Sequence, residues 1–158
     1  MDEAAKKTAL RMVPYGLYIG GATEGGRVHA FLLSWLTQCS FKPPLVAIGL
    51  RADGTAHPMI LETGVFSVNL LDQDQKPLAA DFLKTAVLQD GKLSGHGYAR
   101  GATGCPILEE AAAWLECRVL HHAPLGDHTL VVGEVVEAGV RRKAESLAHA
   151  HTGWHYAG

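Results

Sequence analysis

The sequence predicts a mainly β protein of the α+β class, in which an antiparallel sheet closes into a barrel. Strand-like segments come in pairs joined by short turns, such as residues 15–22 and 28–38 around Thr23-Glu24-Gly25-Gly26. The helical segments between them are few and short, whereas a doubly wound parallel sheet needs a helix after nearly every strand. No strand is followed by a GxGxxG turn and a helix, so a dinucleotide-binding parallel fold is not predicted.

The elements are predicted in the following order. A charged stretch rich in alanine predicts a helix over residues 2–12, which Pro14 ends. Six strands are predicted at residues 15–22, 28–38, 45–50, 65–71, 113–121 and 128–138, from β-branched and aromatic content or from alternation. Thr55 is predicted to cap a short helix reaching Glu62, and a second helix is predicted over residues 72–83. Residues 85–103 are rich in glycine and predict a long loop with at most a hairpin of its own.

Composition excludes several classes of function. The 158 residues fit one domain spanning 1–158, and a formal charge of -2 provides no basic field for nucleic acid or an anionic membrane. No apolar run is long enough to cross a bilayer, and the N-terminus lacks the apolar core of a signal peptide. The three cysteines form no disulfide framework and the nine histidines lack metal-site spacing. We therefore expect a cytoplasmic protein without a bound metal.

The stretch from Ser34 to Pro44 is the first candidate site. Hydroxyl, amide and indole groups of Ser34, Trp35, Thr37 and Gln38 gather at a strand end, where a double proline turns the chain. A planar ring with hydrogen-bonding edges, such as isoalloxazine, needs donors of this kind beside a flat apolar surface. The alternative interpretation is that Trp35 belongs to the core and the polar side chains only satisfy the strand end.

Two further clusters follow. Arg51, Thr55 and His57 lie at a turn that enters a helix, where a cation and helix N-terminal amides suit a phosphate; a solvated helix cap is the alternative. Asp127 precedes His128 at a strand start, so the imidazole either faces a cleft or is merely oriented by the carboxylate.

Taken together, these motifs resemble the flavin reductase-like, FMN-binding split-barrel proteins. The resemblance lies in SWLTQCSFKPPLVAIGL, RADGTAHPMILETGVFSVNLL and AAWLECRVLHHAPLGDHTLVVGEVVEA, and it covers roughly residues 14–138. It implies a six-stranded antiparallel Greek-key split β-barrel with a few short helices. It also implies a homodimer with flavin near the subunit interface.

The resemblance assigns roles to individual residues. Ser34, Trp35, Thr37, Gln38 and Ser40 would line the flavin ring and ribityl chain. The phosphate would lie near Arg51, Thr55 and His57, while Phe82 would cover the ring. His128 would lie close to flavin and nicotinamide and would help place the hydride donor. In one respect the chain departs from the family, because His29-Ala30-Phe31-Leu32-Leu33 stands where many reductases carry N-G-x-T-A.

The implied activity is that of an FMN-dependent NAD(P)H:flavin oxidoreductase, which supplies reduced flavin or electrons to an oxygenase or electron-carrier partner. FAD in place of FMN stays open. One alternative is a flavoredoxin-like electron-transfer protein that a partner protein reduces and that never meets NAD(P)H. Another is a dimeric structural or small-ligand-binding barrel that has lost flavin.

Overall fold

The computed structural model of the chain describes residues 1–156. These residues contain three helices, α1 (Glu3–Arg11), α2 (Ala56–Thr63) and α3 (Lys76–Ala80), and a 3-10 turn at His149–His151. The eleven strands are β1 (Tyr18–Glu24), β2 (Arg27–Leu33), β3 (Leu36–Ser40), β4 (Leu45–Arg51), β5 (Val65–Leu70), β6 (Leu88–Gln89), β7 (Lys92–Leu93), β8 (Tyr98–Arg100), β9 (Pro106–Leu108), β10 (Ala113–Pro124) and β11 (His128–Val140). The protein is therefore mainly β with few helices, as the sequence predicts.

Seven of these strands form one antiparallel sheet in the order β2-β1-β5-β10-β11-β4-β3. The predicted six-stranded barrel is not confirmed, because the sheet has seven strands and its edge strands β2 and β3 are not paired with each other. Only two residues connect these edge strands, so Leu33 and Leu36 lie at most about 11 Å apart. The sheet must therefore curl until its two edges meet at this corner.

The additional strand comes from a break inside the second predicted strand. Residues 28–38 were expected to be continuous, but Ser34 and Trp35 leave the ladder and separate β2 from β3. The predicted helix over 72–83 is reduced to Lys76–Ala80, since Asp72 instead forms a bridge with Ser146. The predicted loop over 85–103 contains the β6–β7 hairpin and strand β8, which pairs with β9.

Apolar side chains pack in two clusters. One cluster includes Leu17, Ile19, Phe82, Leu108 and Leu147. The other, around α2 and the sheet, includes Leu33, Ile48, Ile60, Phe66 and Val131, and it lies directly behind β4. None of the helices among residues 1–156 has the length and apolar content needed to cross a membrane.

Buried polar side chains fix the segment around β9 to the sheet. The Asn69 amide donates to the carbonyl oxygens of Ile19 and Pro106 and accepts from the Leu108 amide. Glu116, only 1% exposed, accepts from the backbone amides of Ala102 and Thr103. Because each buried acceptor and donor here has a partner, the glycine-rich stretch has one defined course over the sheet.

The C-terminal segment is tied to the start of β1. The Leu17 amide donates to the Leu147 carbonyl at 2.9 Å, and the His149 amide donates to the Tyr15 carbonyl at 3.0 Å. Lys76 adds a hydrogen bond from its ammonium group to the Thr152 carbonyl at 2.7 Å. These contacts bring the aromatic residues near the chain end beside the corner formed by Ser34 and Trp35.

His96 links the glycine-rich stretch to α3 and to the loop after β9. Its Nε2 lies 3.0 Å from Asp81 Oδ2, and its Nδ1 lies 2.6 Å from Glu110 Oε2. Burial by itself lowers the pKa of His96, but the hydrogen bonds with the two carboxylates outweigh it, so the pKa is raised. The protonated ring is therefore favoured in the folded protein.

We expect His96→Gln to reduce stability most at acidic pH. A raised folded-state pKa stabilises fully below the unfolded value of about 6.5, and this contribution is lost as the pH rises through the folded-state pKa. Urea unfolding of both proteins at about pH 5.5 and pH 8.5 measures the effect. A difference in free energy of unfolding that stays constant, or grows toward pH 8.5, would contradict this role of the ion pairs.

Candidate active site

The site is set by the pairing of β4 with β11. In this ladder Arg51 is the register partner of His128, and the Ala52 amide donates to the Asp127 carbonyl at 3.0 Å. Arg51 and His128 come from motifs far apart in the sequence, yet antiparallel pairing places them side by side at one end of the sheet. The turn after β4 and the turn before β11 therefore form one continuous rim.

Trp35 lies over the same end of β4. The Gly49 amide donates to the Trp35 carbonyl at 3.0 Å, and a Cβ on Gly49 would come within 2.7 Å of the indole Cε3 atom. Glycine is needed at this position because any larger residue would displace the indole. The ring packs against His128, with centroids 4.4 Å apart, and its buried Nε1 has no hydrogen-bond partner within residues 1–156.

His128 is held on both nitrogens. Its Nδ1 lies 2.8 Å from Asp127 Oδ1, and its Nε2 lies 3.0 Å from the Tyr156 hydroxyl. The hydrogen bond with His128 lowers the pKa of Asp127, so this carboxylate stays ionised at neutral pH. We therefore assign the proton of the neutral ring to Nδ1, facing Asp127, which leaves Nε2 to accept from the Tyr156 O–H.

Arg51 makes a two-pronged ion pair with Asp53. Its Nε and Nη2 atoms donate to the two carboxylate oxygens at 2.9 and 2.6 Å. The hydrogen bond from Arg51 lowers the pKa of Asp53. Both side chains are exposed, so the pair contributes little stability, and the guanidinium is free to exchange this carboxylate for another anion.

Three adjoining clefts surround these residues. The inner cleft, of about 120 Å³, lies between the end of β2 and the turn after β4, and its lining includes His29, Phe31, Ser34, Arg51, Thr55 and Tyr156. The loop cleft, of about 450 Å³, shares those residues and adds residues 82–85. The outer cleft, of about 670 Å³, is lined by Leu10, Tyr15, Trp35, Arg51, Ala52, Asp53, Asp127, His128 and Tyr156.

Most of the residues predicted for the site lie on these clefts. Ser34, Arg51 and Thr55 line the inner and loop clefts together, and Phe82, although only 2% exposed, borders the loop cleft. Trp35 and His128 line the outer cleft with Arg51. Thr55 occupies the position before α2 but makes no side-chain capping bond, contrary to the predicted cap, so its exposed hydroxyl faces no competing helix amide.

Four predicted residues lie outside the three clefts. Thr37, Gln38 and Ser40 are on edge strand β3, where the Thr37 hydroxyl donates to the Gln38 carbonyl and the Gln38 amide to the Ser40 carbonyl. His57 turns inward, and its Nε2 lies 2.8 Å from the hydroxyl of buried Thr129. In this arrangement His57 links α2 to β11 at the back of the rim.

Residues in or beside the clefts that were not singled out from the sequence include two histidines and a tyrosine. His29 stacks on Phe31 in the inner cleft, and burial lowers its pKa, so the ring is neutral at pH 7. His149 holds the Ser34 hydroxyl at 3.0 Å, and Tyr156 contacts His128. The departure from N-G-x-T-A marked position 29, but no local pattern indicated that residues near the chain end return to the site.

Comparison with known proteins gives a consistent set of relatives. The model of the flavin reductase like domain family matches residues 10–158. An actinorhodin polyketide dimerase from Streptomyces coelicolor is 32% identical over 143 residues, covering 90% of this chain and 79% of that protein. A ferric-chelate reductase (NAD(P)H) from Archaeoglobus fulgidus is 32% identical over 147 residues, covering 90% of this chain and 85% of that protein.

Two solved structures are similar in fold. An FMN-binding protein from Thermus thermophilus, with bound 1-cyclohex-2-enone, is 28% identical with a TM-score of 0.74, over 83% of this chain and 73% of that one. An NADH:FAD oxidoreductase from Streptomyces globisporus is 26% identical with a TM-score of 0.75, over 85% of this chain and 75% of that one. The match of the family model over almost the whole chain confirms the resemblance, and the chain belongs to the flavin reductase-like domain family.

Proposed function

We infer that the protein is an NAD(P)H-dependent flavin reductase. The observation that carries this inference is the shared wall between the clefts: Arg51 and Tyr156 border both the inner cleft and the outer cleft. Hydride transfer requires two planar rings in direct contact, and two adjoining clefts that meet at one polar rim suit that arrangement. The relatives named flavin reductase or NAD(P)H reductase support the same activity.

The inner and loop clefts fit a flavin mononucleotide. Phe31 and Leu32 offer an apolar surface for a ring, while Ser34 and Thr55 offer hydroxyls. Arg51 at their edge can exchange Asp53 for a phosphate, because a guanidinium binds either anion through two parallel hydrogen bonds.

The outer cleft fits the nicotinamide end of the hydride donor. Trp35 and Tyr15 provide flat apolar surfaces, and His128 provides one hydrogen-bonding nitrogen held in place by Asp127. When bound, flavin would accept a hydride from NAD(P)H and pass the electrons to an acceptor. The protein residues would orient the donor and exclude water. His128 would act in positioning, since hydride transfer itself moves no proton.

FMN is the flavin we propose, with FAD as the alternative. The resemblance to an FMN-binding protein favours the mononucleotide, whereas a similar NADH:FAD oxidoreductase keeps the dinucleotide open. We also propose that reduced flavin or its electrons serve an oxygenase or electron-carrier partner. A cytoplasmic location stays a prediction from the sequence.

A second copy of the chain is the assembly we propose. Large apolar side chains are exposed along the β10–β11 hairpin, among them Leu120 (53%), Leu125 (73%) and Val140 (74%). Burying such surface favours self-association. Light scattering should therefore give about twice the chain mass of 16.9 kDa. A mass of one chain at micromolar concentration would contradict the proposed homodimer.

The activity itself is tested by mixing the purified protein with FMN and either NADH or NADPH. We expect oxidation of at least one nucleotide, followed at 340 nm, that depends on added flavin, because the two clefts bring flavin and hydride donor together. The matched control is flavin and nucleotide without protein. No flavin-dependent oxidation of either nucleotide would sink the reductase proposal.

The same preparation separates the two alternatives. An electron-transfer protein would bind flavin and accept electrons from a ferredoxin-like donor while leaving both nucleotides untouched. A structural barrel that has lost flavin would not be stabilised by FMN. A protein that binds FMN should instead gain about 2.7 kcal/mol in its free energy of unfolding when FMN is present at 100 times its dissociation constant.

The phosphate assignment predicts that Arg51→Met weakens FMN binding about tenfold or more and leaves riboflavin binding unchanged. Riboflavin has the same ring and ribityl chain but no phosphate, so it makes no charge-assisted bond to the guanidinium. Flavin fluorescence titrations of wild type and variant measure both affinities. An equal loss for the two flavins would place Arg51 away from the phosphate.

A further inference from the structure

Tyr156 occupies a central position at the junction of the clefts. Its ring lies 5.3 Å from the Trp35 ring, edge to face, and its hydroxyl lies 3.0 Å from His128 Nε2. It lines the inner, loop and outer clefts, and also a further cleft of about 330 Å³ between the end of α1 and the C-terminal segment. Within residues 1–156, no other residue borders all four of these clefts.

The contacts that hold Tyr156 there are few. The segment turns at Gly153, whose φ of +71° favours glycine, and the Trp154 carbonyl oxygen lies 3.2 Å from His149 Nδ1. Tyr156 itself remains 43% exposed, and the preceding His155 is exposed as well. A half-exposed side chain outside the sheet, held by hydrogen bonds with His128 and Arg51 and by ring contacts, can leave its position without unfolding the sheet.

The Tyr156 hydroxyl also occupies His128 Nε2, the ring nitrogen to which a bound substrate would donate a hydrogen bond. In the neutral form of the His128 ring, with the Nδ1 proton directed at Asp127, the available lone pair is on Nε2, and the Tyr156 O–H donates to it. Burial raises the pKa of Tyr156, partly offset by nearby Arg51, so the phenol keeps its proton as a donor. A ligand that reaches Nε2 must therefore replace this hydrogen bond.

We propose that Tyr156 is a positioning residue that acts as an internal ligand: its phenol fills a seat, formed by Trp35 and His128, for a planar aromatic group with a hydrogen-bond donor at its edge. The existence of this seat follows from the contacts among Trp35, His128 and Tyr156 and does not depend on which substrate the protein uses. If the proposed reductase function holds, the group that displaces Tyr156 is the nicotinamide, whose carboxamide N–H₂ replaces the phenol as donor to Nε2. Tyr156 then lowers the affinity for NAD(P)H by the fraction of molecules in which the seat is filled.

The binding test uses Tyr156→Ala and p-cresol, which reproduces the removed side chain. Calorimetry should show p-cresol binding to the variant at least tenfold more tightly than to wild type, where the seat is filled. Toluene, which lacks the hydroxyl, should bind the variant more weakly than p-cresol because it cannot donate to His128. Tyr156→Phe keeps the ring and loses the hydrogen bond, so its p-cresol affinity should lie between those of wild type and Tyr156→Ala.

The kinetic test separates substrate binding from turnover. In Tyr156→Ala we expect the KM for NAD(P)H to fall about tenfold while kcat changes less than twofold, and p-cresol to compete with NAD(P)H. His155→Ala is the matched control, since it alters the same segment without touching Trp35 or His128, and it should leave both constants unchanged. A merely structural role of Tyr156 would not produce a lower KM together with competition by a phenol.

The outcomes distinguish this proposal from the reductase assignment. Equal p-cresol affinity in wild type and Tyr156→Ala, or no binding to either, would overturn the internal-ligand role whatever the activity. A raised KM in Tyr156→Ala would also overturn it and would indicate that Tyr156 helps to hold the substrate. If neither wild type nor any variant oxidises NAD(P)H, but p-cresol binds Tyr156→Ala more tightly than wild type, the internal-ligand role is supported and the reductase function is contradicted.

Discussion

The antiparallel pairing of β4 with β11 is the constraint on which the site depends. It sets Arg51 directly opposite His128, and the adjoining turns bring Asp53 and Asp127 to the same rim. A slip of one residue in this ladder would turn every side chain of one strand to the opposite face. The buried cluster that includes Ile48 of β4 and Val131 of β11 resists such a slip, because both side chains would lose their apolar surroundings.

The corner between β2 and β3 depends on that same end of β4. Trp35 can lie flat because Gly49 has no side chain, and its carbonyl stays paired with the Gly49 amide. The indole then supports His128 from one side while Tyr156 approaches both rings. An aromatic wall, a guanidinium and an oriented imidazole are thus concentrated within one rim. This arrangement explains how a small sheet can present two adjoining clefts.

Local patterns predicted the elements that have strong local signals. Turn residues and alternation located the strands around residues 65–71, 113–121 and 128–138, and α2 ends at Thr63, one residue beyond the predicted end at Glu62. The break at Ser34 and Trp35 has no glycine or proline to mark it; the chain leaves the ladder because it must pass from one sheet edge to the other. The β8–β9 pairing is equally hidden, since Asn69 and Glu116 fix it from distant strands.

Sequence motifs predicted the part of the site that lies on the strands and turns of the sheet, but not the part contributed by the C-terminal segment. Ser34, Trp35, Arg51, Thr55 and His128 came from ordered motifs, and the fold brings them to adjoining clefts. Tyr156 could not be found this way, because its place depends on backbone bonds between the C-terminal segment and the start of β1.

The most direct measurement of the central claim is an amide NMR titration of the protein with FMN. The account predicts that FMN shifts the resonances of Ser34, Arg51 and Thr55 together, because these residues line the inner and loop clefts. Shifts confined to β3, at Thr37 to Ser40, would contradict it, because flavin would then bind away from the rim that β4 and β11 create.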